Sequence, residues 1–221
     1  MVRAYTIAGG TVAVRMRDAI DPTFVGDRSD RRPFEGVPAA FVDRDGVING
    51  NDRHVNSPDD FELLPGSATA IRRLNEARIP VIVVTNQGAV AFEYVTAKVV
   101  GDILDKMDRL LAEEGAFVDV VYAAFAHARG TVPALAIASE YRKPRAGMLE
   151  QARDDLGVDL GGSTMVGDAT TDILAGRRAG CRTILVQTGL SGEDGKAIAV
   201  PDLVAVDLLA AVDLILAATR T

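Results

Sequence analysis

From Ala39 onward, short apolar runs alternate with segments of helical periodicity, and no other feature narrows the possible folds as far. The runs cover residues 39–42, 81–84, 118–124, 164–166 and 183–186, and the helical patterns between them cover 67–78, 96–114, 147–156 and 171–179, with a last helix expected over 207–218. In the second helical segment Val99, Ile103, Met107, Leu110 and Leu111 recur at three- and four-residue steps, and Gly115 supplies a C-terminal stop. Apolar runs too short for helices, joined by helices, predict an α/β fold: a Rossmann-like, doubly wound, mainly parallel sheet with helices on both faces. Residues 1–38 read differently. Positions 5–15 look like a hairpin turning at Gly9-Gly10, and 18–38 mix charged residues with Pro and Gly as an irregular connection does. We therefore divide the chain into an N-terminal extension, 1–38, and a main domain, 39–221.

An open parallel sheet binds its ligands at the carboxyl ends of its strands, so polar residues matter most there. The first run leads into Asp43-Arg44-Asp45-Gly46-Val47-Ile48, the second into Thr85-Asn86-Gln87-Gly88, and the fourth into Gly167-Asp168-Ala169-Thr170-Thr171-Asp172. Taken singly, each has a plain structural explanation as a turn, a loop or a helix cap. A calcium loop starting at Asp43 fails on spacing, because Val47, Ile48 and His54 stand where a ligand, a glycine and a final Glu belong. The coincidence of three polar ends on one sheet edge is what points to chemistry. Arg142-Lys143-Pro144 adds cations to the two acidic pairs, the arrangement needed where a phosphoryl group and a divalent cation meet.

Charge and cysteine content exclude other functions. With 24 basic against 31 acidic residues the net charge is −7, which argues against nucleic-acid and anionic-membrane partners. A lone cysteine, Cys181, rules out an internal disulfide and a cysteine-based zinc cluster within the chain. The N-terminal residues lack the apolar stretch of a signal peptide, and the expectation is a cytoplasmic protein.

The four motifs, in this order, resemble those of the haloacid dehalogenase-like (HAD) phosphohydrolase superfamily over about residues 39–189. Asp43-Arg44-Asp45-Gly46-Val47-Ile48-Asn49, Thr85-Asn86-Gln87, Arg142-Lys143-Pro144 and Gly147-Met148-Leu149 are similar to its heptose-bisphosphate and histidinol-phosphate phosphatase branch, whose members lack a large cap domain. The resemblance implies a phosphomonoester hydrolase for a small phosphorylated metabolite. Asp43 would be the nucleophile that becomes aspartyl-phosphate, Asp45 the acid and base, and Thr85 and Lys143 the contacts to the phosphoryl oxygens. Mg2+ would be held by Asp43, Asp168 and the backbone carbonyl of Asp45, with Asp172 orienting Lys143 or a metal-bound water.

The departures from that branch are equally informative. Ala124, Ala126, Ser139 and Tyr141 stand where many of its members carry a zinc loop, so no zinc is expected. The loop over 128–140 should then be held by packing of Val132, Leu135 and Ile137. Phe92 and Ala169 stand where the branch usually has Arg and Lys, which disfavours a substrate with a second phosphate. Asn51, Arg53, His54, Asn86, Gln87 and Arg142 are the candidate substrate contacts. The substrate expected is a sugar-like phosphate, with heptose (bis)phosphate among the candidates. The alternatives are a histidinol-phosphate-type phosphatase and a catalytically weak member that binds a metabolite or a protein.

Overall fold

The computed structural model describes residues 5–6, 12–16, 32–50 and 55–219. Its strands are β1 (Tyr5–Thr6), β2 (Val12–Met16), β3 (Ala40–Val42), β4 (Val81–Asn86), β5 (Val120–Ala124), β6 (Thr164–Gly167), β7 (Arg182–Val186) and β8 (Leu203–Ala205). Its helices are α1 (Ser67–Glu76), α2 (Ala97–Glu113), α3 (Gly147–Leu156), α4 (Thr170–Ala179) and α5 (Leu208–Ala218). They build one eight-stranded sheet in the order β1-β2-β5-β4-β3-β6-β7-β8. From β5 to β8 every neighbouring pair is parallel.

Strands β3 to β5 step outward in one direction and β6 to β8 in the other, so the winding reverses between β3 and β6. Crossover helices diverge at such a point and leave a crevice beyond the strand ends. Asp43 follows β3 and Asp168 follows β6, which puts both carboxylates beside that crevice.

Alternation along the strands sorts the core into two layers. Val42, Val81, Val83, Val121 and Val166 face one side with residues of α1, α2 and α5. Phe41, Ile82, Val84, Tyr122 and Met165 face the other with residues of α3 and with Ala175 of α4. In α2 the buried stripe is Val100, Ile103, Leu104, Met107 and Leu111, so it is rotated from the expected face, with Val99 and Leu110 at its half-buried margins. A pitch of 3.6 residues allows either face from the sequence, and contact with the sheet decides between them. Thr96 caps this helix by accepting from the Val99 N–H at 3.2 Å.

At the N-terminal side, β1 pairs antiparallel with β2, with Tyr5 opposite Val14, and β2 pairs antiparallel with β5. This part of the extension thus lengthens the sheet, while Gly9-Gly10 and residues 17–31 lie outside the described residues. Between β3 and α1 the described chain holds only the bridges Asp45–Asn49 and Asn49–Leu63 and a single 3-10 turn, Pro58–Asp60, with no large cap. Strand β8 was not apparent in the sequence. It has three residues and Val204 is 54% exposed, so it lacks the buried apolar run of a central strand. No helix among the described residues is long and apolar enough to cross a membrane.

Candidate active site

Lys143 is the centre of the site. Its side chain is buried, with Nζ 2.9 Å from Asp43 Oδ1 and 2.7 Å from Asp172 Oδ1, and it donates to the Val84 carbonyl at 2.7 Å. Burial opposes its charge, but Asp172 and then Asp43 hold its pKa above the ordinary lysine value. The backbone of Lys143 is held as firmly. Asn86 Oδ1 accepts from its N–H at 3.0 Å, and Asn86 Nδ2 donates to its carbonyl at 3.1 Å.

Asp43 is anchored by its own N–H, which donates to the Val166 carbonyl at 2.9 Å and ties the end of β3 to β6. Burial pushes its carboxyl well above the usual range; Lys143 opposes this, while Asp172 and Asp168 add to it. Asp168 is pushed up to about 6, again chiefly by burial and against the pull of the Leu190 N–H, which donates to its Oδ2 at 2.7 Å. Carboxylate oxygens of Asp43, Asp168 and Asp172 all lie within 4.8 Å of one another. Asp172 is already engaged, since its Oδ2 accepts from the Ala169 N–H at 3.0 Å and its other oxygen faces Lys143. It sits so close behind Gly167 that a Cβ there would meet Asp172 Cβ at 2.2 Å. One lysine facing three buried carboxylates leaves an imbalance that a divalent cation would offset, and hard oxygen ligands suit Mg2+.

Asp45 stands apart from that cluster. Arg44 donates to Oδ1 at 2.7 Å and to Oδ2 at 2.8 Å through Nη2, Asn49 donates to Oδ1 at 3.0 Å, and Gln87 donates to Oδ2 at 2.9 Å. Burial would raise its pKa, yet Arg44 and these hydrogen bonds hold it below the ordinary aspartate value. Gln87 Nε2 also donates to the Thr85 hydroxyl at 2.9 Å, linking the second motif to the first.

These four sequence segments converge on one crevice. A relative from Thermosynechococcus vestitus named D-glycero-D-manno-heptose-1,7-bisphosphate 7-phosphatase is 41% identical over 185 residues, 80% of this chain and 94% of its own length. The chain belongs to the HAD-like phosphohydrolases. It is a phosphatase of their heptose-bisphosphate phosphatase-like branch. The HAD-hydrolase-like family model matches residues 140–211. The crystal structure of a HAD-like phosphatase from Mesorhizobium loti covers 96% of this chain and 97% of its own, with a TM-score of 0.76 and 33% identity. The crystal structure of a D,D-heptose 1,7-bisphosphate phosphatase from B. bronchiseptica, complexed with magnesium and phosphate, has a TM-score of 0.71 and 36% identity, covering 82% of this chain and 99% of its own.

For this HAD-like phosphatase, the crevice brings together Asp43, Asp45, Thr85, Asn86, Gln87, Lys143 and Asp168 of the residues expected from sequence. Asn51, Arg53 and His54 lie outside the described residues. Asn86 and Gln87 spend their amide groups on Lys143, Asp45 and Thr85, so within this arrangement they position other residues. Arg44 and Asn49 were not singled out by sequence reasoning. Arg44 is 1% exposed although it is an arginine inside a loop motif, and that contradiction with exposed-loop chemistry appears only in three dimensions.

The loop over 128–140 is held differently from expectation. Ile137 is 41% exposed, so it does not pack the loop down. Instead the N–H groups of Thr131 and Val132 both donate to the Ala91 carbonyl, at 2.8 and 3.0 Å, and His127 N–H donates to the Leu135 carbonyl at 3.0 Å. Leu135 does pack against the core, and Val132 is half-buried.

Replacing Asn86 by Ala should expose the importance of the Lys143 clamp. Both backbone groups of Lys143 lose their partner, at a cost of about 1–3 kcal/mol, and the ammonium is freed to drift. A displacement of about 1 Å is enough to reduce turnover up to about 100-fold. Steady-state kinetics on Asn86→Ala should show a kcat about tenfold lower or worse; an unchanged kcat would mean that Lys143 is held without Asn86.

Proposed function

We propose that residues 39–221 form the catalytic unit of a Mg2+-dependent phosphatase that hydrolyses a small sugar-like phosphate, heptose phosphates and bisphosphates included, through an aspartyl-phosphate at Asp43. The observation that carries this reading is the Lys143 ammonium placed against Asp43 inside the carboxylate cluster, at the reversal point of the sheet. The names of the relatives at 41% and 37% identity support the substrate class. Mg2+ would be held by Asp43, Asp168 and the Asp45 carbonyl, and when bound it would neutralise charge between the nucleophile and the phosphate.

The residues of the chain divide the remaining work. Asp43 attacks phosphorus in line with the leaving oxygen, and the bond to that oxygen breaks as the acyl phosphate forms. Lys143 and the Thr85 hydroxyl donate to the phosphoryl oxygens, whose charge is redistributed in the transition state. Asp45 gives a proton to the leaving oxygen and later takes one from water. Because Arg44, Asn49 and Gln87 together favour its charged form, Asp45 carries a proton only once substrate has loosened some of these donors.

Phosphate release from an aryl phosphate with and without Mg2+ tests the assignment. Mg2+-dependent release is expected, and absence of release from well-folded protein under either condition would remove it. A thermal experiment addresses the metal. Without metal, Asp168 titrates at about 6 instead of 3.8, so the folded state binds its proton more tightly than the unfolded state does. Stability from this group is therefore present at acid pH and is lost as pH rises through about 6, by up to about 3 kcal/mol. The melting temperature in EDTA should fall between about pH 5 and pH 7.5 less steeply in Asp168→Asn than in the native chain. Mg2+ should restore it at the higher pH, because binding requires ionised carboxylates. Identical profiles for the two proteins, with no response to Mg2+, would count against the metal assignment.

A further inference from the structure

The loop that follows β7 meets Asp168 through backbone groups. Leu190 N–H donates to Asp168 Oδ2 at 2.7 Å, and Gly192 N–H donates to the Asp168 carbonyl at 2.7 Å. Between these two donors the chain bends through the left-handed region, with φ of +53° at Ser191 and +79° at Gly192. A serine stays in that region only where its surroundings hold it there. Neither donor belongs to a side chain, so their aim at Asp168 depends on whatever fixes the loop.

Apolar burial contributes little to that. Leu190 is 42% exposed, Ile198 is 95% exposed, and residues 195–197 before it are exposed as well. What ties the loop down is Asp194. The Thr170 hydroxyl donates to Asp194 Oδ1 at 2.7 Å, and the Lys196 N–H reaches the same oxygen at 3.5 Å. Thr170 is the first residue of α4, the helix that also carries Asp172. Residues 168–170 and 190–194 are therefore joined at three points, two on Asp168 and one on Thr170, which leaves the loop no hinge about Asp168. The other oxygen, Asp194 Oδ2, is buried with no hydrogen-bond partner among the described residues. A carboxylate with one oxygen in that state is a poor choice for stability, so its contribution lies in where it places the loop.

We propose that the Thr170–Asp194 hydrogen bond is a latch that holds the loop over residues 188–196 against Asp168 and thereby sets the affinity of the carboxylate cluster for Mg2+. Thr170 and Asp194 are positioning residues: they act on Asp168 through the N–H groups of Leu190 and Gly192. A carboxylate with one oxygen and its own carbonyl already fixed has less freedom to lose when it takes a cation, and its orientation is set beforehand. Opening the latch releases both N–H groups together, so the loss falls on metal binding and not on the chemistry at Asp43. The inference rests on the Mg2+ reading above and extends it to two residues outside the cluster.

Calorimetric titration of the full chain with Mg2+ alone, in the absence of any phosphate ester, tests the latch. Thr170→Val and Asp194→Ala should each raise the Mg2+ Kd about tenfold. The double variant should bind no more weakly than either single one, because both substitutions remove the same bond. Thr170→Ser and Asp194→Asn keep a donor and an acceptor in place, and should return the Kd close to the native value. In aryl phosphate hydrolysis the Mg2+ concentration for half-maximal release should rise by the same factor as the Kd, while kcat at saturating Mg2+ stays close to native. A Kd unchanged in Thr170→Val and Asp194→Ala, whatever their melting temperature in EDTA, would overturn the latch, as would losses that multiply in the double variant. A native chain that takes up no Mg2+ would remove the metal assignment along with the latch, whereas native binding matched by both variants removes the latch alone.

Discussion

Asp43→Asn is expected to lower phosphate release from an aryl phosphate by about 10⁴-fold or more while raising the melting temperature of the metal-free protein. A carboxamide has no anionic oxygen to attack phosphorus, so the two-step route is closed and only binding and charge stabilisation remain. The stability effect has the opposite sign because Asp43 is one of three carboxylates crowded within 4.8 Å, and burial raises its pKa well above the usual range. Removing one negative charge relieves repulsion from Asp168 and Asp172 and leaves Lys143 paired with Asp172 at 2.7 Å. A gain of about 1 kcal/mol corresponds to about 2–4 °C in a protein of this size. Turnover within tenfold of the native rate would remove Asp43 as nucleophile, and a lower melting temperature would remove the crowding argument. A loss of activity with gained stability cannot be produced by simple misfolding, which is why the two readouts belong together.

The second large effect is expected from Lys143→Met, and there both readouts should fall. The thioether approximates the length of the lysine stem but leaves Asp43 and Asp172 without the ammonium that faces them at 2.9 and 2.7 Å. The Val84 carbonyl also loses its donor. Removing one member of a buried ion pair costs about 3–5 kcal/mol, equivalent to a fall of about 10 °C or more. Turnover should fall by about 100-fold or more through loss of the cation facing the transferred phosphoryl group. Adding Asp172→Asn to this variant should recover part of the lost stability but none of the activity, since it removes a stranded charge without replacing the phosphate contact. A double variant no more stable than Lys143→Met would mean that the carboxylates are tolerated without the lysine.

Much of this site is legible in the sequence, and the legible part has a common character. Asp43, Thr85 and Asp168 follow apolar runs whose burial is total or nearly so, and a run of Val and Ile between helical segments identifies a central parallel strand with little ambiguity. Helix α3, Gly147–Leu156, has the bounds its periodicity predicts, with Gly157 ending it. The features not legible in the sequence depend on neighbours. The buried face of α2 was displaced because Val99 and Val100 are equally apolar and only the sheet distinguishes them. The Lys143 clamp is equally a matter of neighbours, because both ends of the Asn86 amide meet the backbone of a residue 57 positions away. Asp194 likewise has its partner far along the chain, since it accepts from the Thr170 hydroxyl 24 residues away.

The amino-acid sequence by itself determined the fold class, the order of the elements from β3 to β7 and the carboxylates to be expected at the strand ends. These depend on periodicity and on residues adjacent to strand ends, both local properties of the chain. Only the tertiary structure decided which groups restrain one another: Lys143 between Asp43 and Asp172, Arg44 on Asp45, and Asn86 on the backbone of Lys143. Charges act through space, and burial multiplies their effect. Electrostatic partnership is therefore a property of distance in the folded chain, which the spacing of residues along the sequence does not encode.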